Sequence, residues 1–270
     1  MSDAVSRFSG VASLYDAVRP MPPAGVADVI GQWAGAADPD VVDLGAGTGL
    51  STVIWAGRAR QVVAVEPSAQ MRALALRRIS AAGMTEPGRD RTGFDTVDAT
   101  AEETGLPGAC ADIVTASQAM HWFDPARALP EIARILRPGG VFAAYDCDWP
   151  PCIDWETDAA FAAVVHRTSS LEQQRGLRPA HAGKQGHGAR LRGSGLFRHV
   201  REIAVHGREE GDAQRLIGIA HSSLAGIGTL LADGVGEDDL GLTRLRQVSA
   251  RRLSEPRTWW WTYRIHLAVK

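Results

Sequence analysis

The sequence predicts an α/β fold, a mostly parallel sheet with helices on both faces. Two observations carry this. Short apolar runs alternate with amphipathic stretches of helical period, which is the pattern of strand–helix–strand repetition. The first of those runs passes through "VVDLGAGTGL" (41–50), an acid followed by glycines at alternate positions, where glycine's φ freedom allows a sharp strand-to-helix turn.

Taken in order, "LSTVIWAGRA" reads as a short helix after the glycine loop, and "QVVAVEP" (61–67) as a second buried strand. "SAQMRALALRRISAAG" follows as a helix, then the polar loop "TEPGRDRTG". Strands are expected over 94–99, 111–118 and 141–148, with the helix "DPARALPEIARILRPGG" stopped by Pro138 and two glycines. Beyond residue 150 the rhythm changes. Residues 154–175, 212–231 and 237–253 look helical, while 198–207 and 257–270 alternate like strands with one exposed face. The expected organisation is a core over 1–150 with an N-terminal cap helix, followed over 151–270 by a helical lid and a β-pair that completes the sheet.

Composition bounds the partners. With 270 residues, 45% of them hydrophobic, the chain is long enough for one large core or a core with a cap. A formal net charge of −2 exerts no pull towards nucleic acid or anionic membrane, so neither is expected as a partner, and a small molecule is. Cys110, Cys147 and Cys152 have no metal-ligand spacing and no even pairing, which fits a reducing compartment, and no metal is expected. The start lacks a basic region followed by an apolar stretch, and no apolar run reaches the roughly 18 residues of a membrane span. The expectation is a soluble, cytoplasmic monomer or homodimer.

The rim of such a sheet, at the carboxyl ends of its strands, is where ligands bind, and Asp43, Glu66, Asp98 and Ser117 should line it. Gly45, Gly47 and Gly49 satisfy G-x-G-x-G, but the third glycine of a dinucleotide fingerprint is replaced by Leu50, and no Lys-Ser or Lys-Thr pair marks a phosphate loop. Asp43 would oppose a pyrophosphate and favour a ligand with positive charge. Glu66 lies 19 positions after Gly47, near the offset of about 20 at which an acid binds ribose hydroxyls. Asp98 could accept from an exocyclic amine such as that of adenine. A cationic amino-acid end, a ribose and an adenine without phosphates describe S-adenosylmethionine (SAM).

"VVDLGAGTG", "VVAVEPSAQM", "VDATAEETGLP", "ADIVTASQAMHWFD" and "ILRPGG" resemble the successive motifs of class I SAM-dependent methyltransferases, in register over roughly residues 8–148. The resemblance implies a Rossmann-like, seven-stranded sheet with an antiparallel last strand. It implies that Gly45, Gly47 and Gly49, with Ala46 and Thr48 between them, approach the methionine portion. Glu66, beside Pro67, binds the ribose diol, Met71 packs near the adenine, Asp98 and Ala99 hold its edge, and Ser117 and Gln118 complete the cofactor site. "FSGVASLYDAVRPMPP" and "HWFD" are similar to the small-molecule branch (methyltransferase type 11) that includes trans-aconitate methyltransferases, which places Tyr15 and Arg19 over the cofactor's carboxylate. "SQAMHW" is not the Asn- or Asp-Pro-Pro-aromatic motif of enzymes that methylate nucleic-acid bases.

Methyl transfer is an in-line displacement helped by positioning and exclusion of water. A base is needed only when the acceptor must lose a proton. His121 is the candidate, with a reference pKa near 6.5, the alternative being a histidine packed beside Trp122. Trp122, Lys184, His187, His221 and Ser222 are the candidate acceptor contacts. Against them stand a solvated glycine- and base-rich loop over 178–193 and a satisfied core histidine at 221. The expected reaction is O-methylation of a metabolite or natural product, with S-adenosylhomocysteine as the other product. The alternatives are a SAM-fold protein without methyl transfer, such as a cyclase or a binding component of a biosynthetic pathway, and a nicotinamide-dependent oxidoreductase, which Leu50 and Asp43 disfavour.

Overall fold

Five apolar runs become the parallel part of one sheet, in a computed structural model described over residues 18–82, 92–177, 186–223 and 225–270. They are β1 (Asp40–Leu44), β2 (Gln61–Val65), β3 (Gly93–Val97), β4 (Ala111–Ser117) and β5 (Leu136–Cys147). Two long strands, β6 (His199–Gly211) and β7 (Arg257–Val269), follow. The order across the sheet is β3-β2-β1-β4-β5-β7-β6, and β7 alone runs antiparallel to its neighbours. Strand order reverses between β1 and β4. At such a switch point the connections leave in opposite directions and open a crevice outside the carboxyl ends of the strands.

Helices α1 (Ala24–Ala34), α2 (Ala69–Ala81), α3 (Pro125–Ile135), α4 (Trp155–Gln174), α5 (His187–Gly193), α6 (Ala213–Ser223), α7 (Ala225–Ala232), α8 (Glu237–Leu240) and α9 (Leu242–Arg252) connect the strands. Several starts are chemically marked. Asp124 accepts from Ala126 N at 3.0 Å with Pro125 at the first helical position of α3, and Asp154 accepts from Glu156 N and Thr157 N at the start of α4.

The sheet divides two cores by the two-residue period of its strands. On one face Val141, Ala143 and Tyr145 of β5 join α1, α4, α6, α7 and α9, with Trp259, Trp261 and Tyr263 of β7. On the other, Phe142 and Ala144 meet α3 and Leu191 of α5. The run "WWW" follows the same period: Trp259 and Trp261 are buried, and Trp260 is 52% exposed. Trp149 closes edge-on against Trp261 at 5.3 Å.

The boundaries differ from expectation in instructive places. The segment after the glycine loop is one turn of 3-10 helix, Thr52–Trp55. β5 begins at Leu136 rather than 141, because Leu136 pairs with Ala111 before the register shifts, and a side chain at Gly140 would meet Asp112 O at 3.0 Å. β6 extends to Gly211, paired with β7 along its whole length. The expected helix over 237–253 breaks at Gly241, whose φ of 78° ends α8. From His187 the expected 178–193 loop is helix α5, with Leu191 buried in the core. Among the described residues no single helix is long and apolar enough to cross a membrane.

Phe161 of α4 is fully buried in the core that α4 shares with β5 and β7. Phe161→Ala should cost about 3–5 kcal/mol in urea denaturation, in a single transition. A loss under about 1 kcal/mol would show that α4 is not an integral part of this core.

Candidate active site

The glycine loop is shaped by what surrounds it. Gly45 has φ 63° and Gly49 φ 81°, both in the left-handed region that favours glycine. A Cβ at Gly45 would lie 2.8 Å from the Ala119 Cβ, and one at Gly49 3.1 Å from the Ala75 Cα. The loop is thus held between the turn after β4 and helix α2. Beneath it Asp43 is fully buried and accepts from Ser51 Oγ at 2.8 Å, Thr52 Oγ1 at 2.7 Å and Thr115 Oγ1 at 2.8 Å. Burial pushes its pKa up, and the three hydroxyls pull against that rise. Expected at the ligand, Asp43 instead lies under the cavity wall, because three hydroxyls close over it.

Above the loop a cavity of about 490 Å³ opens at the switch point. Gly45 to Thr48 form one wall, Glu66, Pro67, Ser68 and Met71 a second, and Ser117 to Ala119 with Trp122 and Phe123 a third. Arg19, Pro20 and Pro22 reach it from the N-terminal side. Glu66 is held at the wall by Gly47 N to Oε2 at 3.0 Å and Ser68 N to Oε1 at 2.8 Å. Burial raises its pKa above the ordinary carboxylate value, while the two backbone donors and Arg72 oppose the rise. Each carboxylate oxygen has two lone pairs, so both keep the capacity to accept from a ligand diol.

Gln118, at the end of β4, holds φ 49°, an unusual conformation for a residue with a side chain. It is fixed by Gln118 N to Tyr145 O at 2.8 Å and by Arg19 Nη1 donating to Gln118 Oε1 at 3.1 Å. The Arg19 guanidinium also donates from Nη2 to Ser222 O at 3.1 Å and stands 4.8 Å over the Trp149 ring. Backbone strain of this kind costs about 1–3 kcal/mol and concentrates at functional sites.

The other expected residues spread more widely. Asp98 is 68% exposed at its side chain and pairs with Arg72 at 2.7 Å; neither it nor Ala99 is on the cavity wall, where Thr100, Ala101 and Glu102 stand instead. Gly49 packs behind the loop. Tyr15 and Lys184 lie outside the described residues. His121 is buried, on the short turn Met120–Trp122, with Nδ1 facing Asp146 Oδ1 at 3.7 Å, whereas its neighbour Trp122 lines the cavity. His187 is fully buried and also faces Asp146. His221 is half-buried in α6, its pKa held down by burial and by Arg246, and Ser222 meets the site through its backbone oxygen. Residues on the wall that sequence reasoning passed over include Phe123, Asp124 and Arg127. The quoted "HWFD" ran through two of them and could have drawn attention to both.

A methyltransferase-domain family model matches residues 42–144. An uncharacterized methyltransferase of Mycobacterium tuberculosis is 38% identical over 137 residues, 49% of this chain and 49% of that protein. The malonyl-acyl-carrier-protein O-methyltransferase of Pectobacterium atrosepticum is 36% identical over 104 residues, 38% of this chain and 36% of that protein. The chain spans about half the length, or less, of these curated relatives. Among solved structures, a candidate type II methyltransferase of Anaeromyxobacter dehalogenans superposes with TM-score 0.63 at 24% identity, covering 93% of this chain and 97% of that one. The 4+2 cyclase SpnF superposes with TM-score 0.54 at 18% identity, covering 99% and 94%. At these identities the structural likeness shows the fold. Taken with the cavity at the switch point, its glycine wall and Glu66, the match makes S-adenosylmethionine the cofactor. Over residues 42–144 the chain matches the methyltransferase-domain family, and its fold and cavity are similar to those of class I S-adenosylmethionine-dependent methyltransferases.

Proposed function

We propose that the protein methylates an oxygen atom of a small organic acid. The observation that carries this reading is that the glycine and Glu66 walls and the Arg19, Gln118 and Trp122 walls enclose one continuous cavity of about 490 Å³. That volume is within the roughly 300–1,000 Å³ of small-molecule sites. Bound SAM supplies a methyl group on a sulfonium, which a nucleophile displaces in line, leaving the thioether S-adenosylhomocysteine.

The chain's own residues do the positioning. Glu66 accepts from the ribose hydroxyls, the loop backbone at Gly45 to Thr48 admits the amino-acid portion closely, and Met71 packs at the adenine. Arg19, braced by Gln118 and Ser222, holds the cofactor's carboxylate. Pro20, Pro22, Trp122 and Phe123 keep water out, and Arg127 offers the acceptor's acid group a cation on a rim it shares with Glu102 and Asp124. A carboxylate acceptor is already ionised at neutral pH and needs no base. That suits His121, which is turned towards Asp146. The likeness to malonyl-acyl-carrier-protein O-methyltransferases over 104 residues supports oxygen as the methylated atom. The contact of Arg19 with the Ser222 carbonyl joins α6 to the cavity edge, and through it the helical region over 151–270 serves as a lid. The SpnF likeness keeps one rival reading in play, a SAM-binding protein that moves no methyl group.

Incubation with methyl-labelled SAM and a panel of small carboxylic acids, phenols and amines should give labelled products that dilute alkali cleaves, as methyl esters are cleaved. Alkali-stable products alone would exclude a carboxylate acceptor, with methyl ethers from the phenols still marking oxygen and methylamines marking nitrogen, and SAM binding without turnover would favour the rival. Glu66→Ala should weaken S-adenosylhomocysteine binding at least about tenfold in calorimetry, the loss expected for hydrogen bonds to a charged group, with the circular dichroism spectrum unchanged. Because the ionised form accepts from the ribose and its pKa is raised above the ordinary 4.5, affinity should fall as pH drops through that raised value. In Glu66→Gln that pH dependence should vanish; its persistence would contradict the ribose role.

A further inference from the structure

On the face of the sheet covered by α3 and α5, three side chains from separate elements converge. Asp146 comes from the end of β5, His121 from the turn after β4 and His187 from the first residue of α5. All three are buried, and their donor atoms lie within 4.8 Å of one another. We infer that His121, Asp146 and His187 form a binding site for one divalent transition-metal ion, zinc by its donor set.

The geometry argues for this in two steps. Two imidazoles and one carboxylate are the protein ligands of open zinc sites and of related transition-metal sites. Two of the three spacings then fit, and the third, between the two imidazoles, lies within 4.8 Å. His187 Nε2 stands 3.2 Å from Asp146 Oδ2, and His121 Nδ1 stands 3.7 Å from Asp146 Oδ1. With bonds of about 2.0–2.1 Å, neighbouring donors around a tetrahedral ion lie about 3.4 Å apart. The longer contact exceeds hydrogen-bond range, whereas both bracket a coordination edge.

Arg190 supplies the control. Its Nη1 lies 2.7 Å from His187 Nδ1, and a guanidinium can only donate, so Nδ1 accepts and the imidazole proton sits on Nε2. Coordination through Nε2 requires the opposite tautomer, with Nδ1–H donating to an acceptor, as ligating histidines do. Arg190, half-buried and near the protein surface, must therefore swing aside when the ion binds. His266 stacks edge-on against His187 at 5.8 Å and faces Glu202, so it closes the cluster on the β7 side. An ion here would pin α5 to the sheet and fix the turn that carries Trp122 into the cavity wall. Cys110, Cys147 and Cys152, the residues a sequence search for metal sites inspects first, take no part.

The test uses the full chain, stripped with a chelator, then titrated with Zn²⁺ by calorimetry and with Co²⁺ while the visible spectrum is recorded. Expected are about one ion bound per chain, the intense visible bands of four- or five-coordinate Co²⁺, and a rise in melting temperature on adding Zn²⁺. His187→Gln and Asp146→Asn should each weaken binding at least about tenfold. Arg190→Gln, which puts an acceptor beside Nδ1, should tighten it, and this variant leaves all three ligands in place should the others fail to fold. Absence of binding to the wild type, or binding of equal strength in His187→Gln and Asp146→Asn with no visible Co²⁺ bands, would overturn the site and leave a buried polar cluster. None of these readouts depends on methyl transfer.

Discussion

One buried carboxylate organises the site end of the sheet. Asp43 sits in β1 opposite Thr115 of β4, at the point where strand order reverses, and takes the Thr115 hydroxyl along with those of Ser51 and Thr52 from the far side of the glycine loop. An ionised group there costs several kcal/mol unless its lone pairs are filled. Filling them draws both ends of the loop and the neighbouring strand to one point. The start of the loop, the residues that follow it and the neighbouring strand are thereby tied together beneath the cavity. Glu66, by contrast, is a carboxylate on the wall itself, next to the glycine loop.

Glu66 and Arg19 divide the cavity between them. Glu66 is pinned by two backbone donors and spends its remaining lone pairs outward. Arg19 is stretched across three separate elements: Gln118 after β4, Ser222 in α6 and Trp149 after β5. The strained backbone of Gln118 belongs to this brace, since its amide is tied to Tyr145 while its side chain takes the guanidinium. The N-terminal segment and the late helices thereby meet at the cavity, although the strands that build its floor are contiguous in sequence.

How much of this the sequence disclosed depends on the range of the interaction. Strands β1, β2 and β4 were legible because they are mostly buried and read as short runs rich in valine, isoleucine and alanine. Glu66 was legible because a fixed offset from the glycines places it. β5 was misjudged at its start, since its first residues pair across a register shift that "RPGG" disguises as a helix stop. Asp98 follows β3 directly, yet it stands off the cavity wall and is taken by Arg72, a helix residue whose reach no spacing reveals. His121 was singled out for its position after β4, but its ring orientation depends on Asp146, and nothing local marks that acid in "VFAAYDCD". The same holds for His187, which belongs to a helix that packs on β6 and β7.

The position of β7 has a consequence for synthesis. β6 leaves the ribosome about 45 residues before β7 begins, a wait set by the helices between them, yet among the described residues its only sheet partner is β7, along all 13 residues. Until β7 arrives, the sides of β5 and β6 that it will pair both stand open. Such edges invite pairing with other chains, so the final strand acts as a late closure that protects the chain as it emerges.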